Sequence, residues 1–115
     1  MKSFLILAAL LFTGTALADY ESDLAEYYEA RDEECAVLLK AAVFVRRGTL
    51  NGETQEIMNW FNQNYPGSRK HATVFDWGFQ FAVDERTEEE LRTAFIEACT
   101  SVFGGADEMA GPGNR

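Results

Sequence analysis

The chain has 115 residues, of which 47% are hydrophobic, and its 10 Lys+Arg stand against 19 Asp+Glu for a formal charge of -9. That length supports one small core. The acidity works against nucleic acid or anionic lipid as a partner, since both are held by clustered cations that neutralise phosphate, and it leaves basic proteins, cations and neutral ligands.

At the N-terminus, Lys2, the apolar run from Phe4 to Phe12 and the small-residue site Ala16-Leu17-Ala18 before Asp19 have the layout of a cleaved secretory signal. Thr13, Gly14 and Thr15 interrupt the run well short of the roughly 20 apolar residues a membrane span needs. Residues 1–18 are therefore expected to be removed and residues 19–115 released, without a membrane anchor, into the periplasm or the medium. Loss of Lys2 leaves 9 Lys+Arg against 19 Asp+Glu, a formal charge of -10. Cys35 and Cys99 are the two cysteines, and an oxidising compartment predicts that they pair. Closing a loop of about 64 residues stabilises a fold by roughly 4 kcal/mol in the chain-entropy picture. A redox role would ask for Cys-x-x-Cys spacing or a flanking cation, whereas Glu33, Glu34 and Glu97 disfavour a thiolate.

From Tyr20 to Arg47 the residues Leu24, Tyr28, Cys35, Leu38, Ala42 and Val45 recur at helical spacing, which predicts one helix with a single buried stripe, stopped by Gly48. Acidic residues gather in its first half and Lys40, Arg46 and Arg47 in its second, as the helix dipole favours. A second helix is predicted from Asn51 as N-cap to Asn64, with Ile57, Trp60, Phe61 and Asn64 on one face and Tyr65-Pro66-Gly67 as its break. Over residues 73–83, Phe75, Trp77, Phe79, Phe81 and Val83 alternate with other residues, which is the pattern of a strand. Val74, Trp77, Gly78 and Phe81 equally share a helical face, and only Val43 to Arg47 offers a pairing partner, so helix is the preferred assignment and strand the alternative. The last helix opens on the capping box Thr87/Glu90, carries Leu91, Ala94, Phe95, Ala98 and Val102 on its buried face, and ends at Gly104-Gly105. Residues 104–115 read as a flexible tail. The expected architecture is thus all-α: a bundle of about four helices over residues 19–103, with Cys35–Cys99 stapling the first helix to the last and Trp60, Trp77 and the phenylalanines filling the space between them.

No catalytic or cofactor motif emerges. His71, the one histidine, lies beside Arg69 and Lys70 without a nucleophile or orienting acid, and with Arg46 and Arg47 it forms at most a small basic patch. Asp19, Glu21 and Asp23 copy the first spacing of a calcium loop, but the glycine and terminal glutamate do not follow. Glu88-Glu89-Glu90 and Asp32-Glu33-Glu34 point in different directions on a helix, so they read as solvated faces rather than paired acid and base. No cysteine and histidine set completes a zinc site. The chain is therefore expected to be no enzyme and to carry neither cofactor nor metal. The aromatic run Phe75, Trp77, Phe79 and Phe81 has core filling as its default role and, wherever it becomes exposed, is the candidate surface for a protein partner.

The segment Phe95-Ile96-Glu97-Ala98-Cys99-Thr100, set against an earlier cysteine in the first helix of a signal-bearing chain, resembles the HdeA-type periplasmic acid-stress chaperones. The resemblance implies a small helical protein with one disulfide that opens in acid and binds unfolding clients, and it carries over only Cys35 and Cys99. The wider cysteine spacing, the Trp/Phe run and the Gly-rich end depart from that layout. Charge points the same way: below a pH of about 4 the carboxylates are neutral, and the nine remaining Lys/Arg, His71 and the amino terminus swing the released chain to about +11. The function expected is that of a small exported non-enzymatic binding or stress protein, with an acid-responsive chaperone as its concrete form. An inhibitor or immunity-type protein binding a basic exported partner is the alternative.

Overall fold

A computed structural model describes the backbone of residues 2–114 and the side chains of residues 18–113. Its helices are α1 (Lys2–Leu50), α2 (Thr54–Asn64), α3 (Arg69–Val83) and α4 (Glu88–Thr100), followed by single 3-10 turns at Gly105–Asp107 and Pro112–Asn114. Among the described residues there is no strand. Contacts divide the chain between Ala30 and Arg31. In the first unit, residues 18–30 are exposed except for half-buried Leu24, and Tyr27 and Tyr28 meet edge to face. The side chains of the expected signal segment as far as Leu17 lie outside the described residues. The second unit, residues 31–115, holds the core.

In that unit the stripe of α1 is buried from Cys35 through Leu38, Ala42 and Val45, as the spacing predicts, whereas Tyr28 is exposed. Gly48 does not stop the helix. It is buried against Ile57 of α2, where any Cβ would collide, and α1 runs on to Leu50. The reversal falls instead at Gly52, whose φ of 78° suits a residue without a Cβ. Asn51 consequently sits in the turn, and α2 starts at Thr54 behind Glu53 with no side-chain cap. Ile57 and Phe61 bury the inner face of α2, while Trp60, expected in the core, remains 50% exposed.

Residues 73–83 are helical, within α3. Burial follows the helical face: Val74, Trp77, Gly78 and Phe81 are buried together, although a strand would set Val74 and Gly78 opposite Trp77 and Phe81, and Val83, which a strand would place with Trp77 and Phe81, is exposed. Gly78 lets α3 approach α1, since a Cβ there would lie 2.6 Å from Val45 Cβ and against the Ala42 carbonyl. Ser68 caps the start of α3 by accepting from the His71 amide. Both reciprocal bonds of the Thr87/Glu90 capping box open α4, which buries Leu91, Phe95, Ala98 and Cys99. Cys35 and Cys99 are bonded, with Cα atoms 5.9 Å apart, and join α1 to α4.

The segment after Gly104 departs from the expected tail. Ala106 and Met109 are buried, and the carbonyl of Ala110 accepts from Trp77 Nε1 at 3.2 Å. A wholly buried indole N–H needs an acceptor, and the helices, whose carbonyls are already engaged, leave this segment to supply it.

Candidate functional site

The aromatic run that sequence nominates for partner binding lies mainly inside the fold. Trp77 and Phe81 are 0% and 1% exposed, Phe75 is buried, and Phe79 is half-buried. Trp77 stacks on Phe81 and meets Phe95 edge to face at 5.7 Å. Helical geometry turns Trp77, Phe81 and Phe75 into the core and leaves Phe79 partly exposed at its edge, so the four do not form one open face. The basic residues are likewise dispersed. Lys70 Nζ donates to Glu34 at 2.8 Å, Arg46 Nε donates to the Arg86 carbonyl, and Arg47 makes a two-point contact with Glu88 at 2.6 and 3.0 Å. Two of these tie α1 to other elements through carboxylates: Glu34 to α3, and Glu88 of α4 to α1.

A cleft of about 480 Å³ opens between α2 and α3. The break Tyr65-Pro66-Gly67 folds Tyr65 back over the start of α3, where its ring stacks on His71 with centroids 3.7 Å apart and planes 6° from parallel. Phe61 from α2 and Phe75 from α3 meet edge to face at 6.0 Å in the same region. Ser68 Oγ lies 2.7 Å from His71 Nδ1, fixing the ring's orientation. Burial beside Lys70 holds the imidazole below its ordinary pKa, with burial the larger cause. His71 is thus a neutral ring at neutral pH and a wall of the cleft. Arg69 and Asp76, two turns apart on α3, also line the cleft. Asp76 is open to solvent on its outer side, yet its carboxylate is desolvated enough to titrate above the usual aspartate range.

Sequence reading placed His71 and Arg69 in a basic cluster and passed over Tyr65 and Asp76. The seven-residue spacing of Arg69 and Asp76 would have marked a shared helical face, but nothing local showed that α2 would lay aromatic rings across it. Chemically the site offers aromatic faces, one cation and one anion. Among the described residues no three His, Cys, Asp or Glu side chains converge on a metal position, and no helix is long and apolar enough to cross a membrane. No protein family, curated protein or solved structure matches this chain.

Proposed function

We propose that the protein is a non-enzymatic binding or stress protein acting outside the cytoplasm, and in its concrete form an acid-responsive chaperone of the kind the HdeA-type resemblance implies. The observation that carries this reading is the way the aromatic core is closed. Trp77, Phe81 and Phe95 are buried in a unit whose helices are joined by the ion pairs Lys70–Glu34 and Arg47–Glu88, whose anionic members are carboxylates, while Cys35–Cys99 is indifferent to pH. Acid neutralises carboxylates across the chain and leaves the cations repelling one another, so the helices loosen around a fixed cross-link and apolar surface becomes available. The disulfide-bonded protein at a pH of about 3 is expected to suppress aggregation of an unfolding client and to bind a hydrophobic dye, and at neutral pH to do neither. Absence of both effects at every pH removes the reading.

A second reading rests on residues 19–30, where Asp19, Glu21, Asp23, Glu26 and Glu29 are all exposed and no Lys or Arg intervenes. That run suits an inhibitor or immunity-type protein directed at a basic exported partner. Recovery of one tight partner at neutral pH, with affinity that falls steeply as salt is added, favours it over client binding.

A further inference from the structure

The α2–α3 cleft is present on the closed fold, and its chemistry there is that of a binding site. Its volume of about 480 Å³ falls within the range of small-ligand sites, roughly 300–1,000 Å³. Tyr65 and His71 present their stacked rings at the cleft, and Phe61 and Phe75, almost wholly buried, form its apolar floor. The α3 wall carries two opposite charges, and neither is used internally: the side chains of Arg69 and Asp76 make no hydrogen bond and no ion pair among the described residues. Their surroundings differ in this respect, since Lys70 beside Arg69 is held by Glu34, and Arg47, Arg86 and Arg92 are each paired with a glutamate.

Spacing narrows the ligand. Seven residues of α-helix advance about 10 Å at 1.5 Å per residue, so the backbone positions of Arg69 and Asp76 are about that far apart along α3. An extended peptide advances about 3.3–3.6 Å per residue, so three residues with charged ends match the span. We propose that this cleft binds a short peptide of about three residues with both termini free, its ammonium at Asp76, its carboxylate at Arg69 and an apolar side chain against Phe61, Phe75 and Tyr65.

The test is made at neutral pH on the disulfide-bonded protein, so its outcome is independent of the acid-chaperone reading. Trp60, half exposed with its ring 5.8 Å from that of Tyr65, reports occupancy through its emission when the probe is the tripeptide Ala-Leu-Ala. Saturable binding is expected. N-acetylation of the peptide, its C-terminal amidation, Asp76→Asn and Arg69→Gln should each weaken it about tenfold or more, the size expected for loss of a charge-assisted hydrogen bond. Acetylation should cost little further affinity in Asp76→Asn, and amidation little further in Arg69→Gln, because each pair removes one contact. No saturable response, equal binding of free and doubly blocked peptide, or an acetylation penalty undiminished in Asp76→Asn overturns the proposal.

Discussion

Single side chains decide how closely these helices approach. Gly78 packs α3 on α1 at a point where a methyl group would strike the Ala42 carbonyl and Val45. Backbone cannot yield there as a flexible side-chain end would. Gly78→Ala is therefore expected to destabilise the fold by about 1–3 kcal/mol, the usual cost of overpacking, despite alanine's better helix propensity. Urea denaturation of the two chains measures the difference, and an unchanged midpoint would mean that the helices separate readily. At Trp77 the deciding feature is one polar atom, because full burial of the indole stabilises only while Nε1 finds the Ala110 carbonyl.

Among the elements, the segment after Gly104 behaves as part of the core. It contributes Ala106 and Met109 to the apolar interior, and its carbonyl at Ala110 satisfies Trp77. Ending the chain at Gly104 should cost about 3 kcal/mol or more, from the lost burial and the orphaned indole N–H together. Thermal denaturation and the near-ultraviolet signal of Trp77 check this, whereas ending the chain after Gly111 should leave both close to their original values. The disulfide acts on a different term. By joining α1 to α4 across 64 residues it restricts the unfolded chain, and roughly 4 kcal/mol of stability comes from that restriction in the entropic account.

For the whole molecule the balance of titrating groups sets the response to acid. Contacts with Arg47 hold Glu88, and the Thr87 amide holds Glu90, below the ordinary glutamate pKa of 4.5. Their stabilisation is complete above 4.5 and disappears as pH falls through the lower folded values. His71 is also depressed, from 6.5, so the unfolded chain takes up its proton first and stability declines from about pH 6.5 downward. Asp76 opposes the trend, because its raised pKa lets the folded state bind a proton before the unfolded state does. Denaturant midpoints should accordingly decline in two stages, one beginning near 6.5 and a steeper one below about 4.5. His71→Gln should remove the first stage and Asp76→Asn should steepen the second. A midpoint constant from neutral pH to about pH 3 would contradict the assignment and weaken acid opening as a mechanism.

Local physics made much of this legible in advance. The Thr87/Glu90 box, the stripe from Cys35 to Val45 and the cysteine pair each depend on spacing along one helix or on redox chemistry, and these can be read from the residues themselves. Packing between helices decided the remainder. Whether Gly48 ends a helix or accommodates Ile57, whether Trp60 or Met109 enters the core, and whether Tyr65 lies over His71 depend on which surfaces meet, and no periodicity within one segment encodes its neighbour's shape. The α2–α3 cleft belongs to this second class. Phe61 and Tyr65 come from one side of a turn, and His71, Phe75 and both charges from the other, so only the folded chain brings them together.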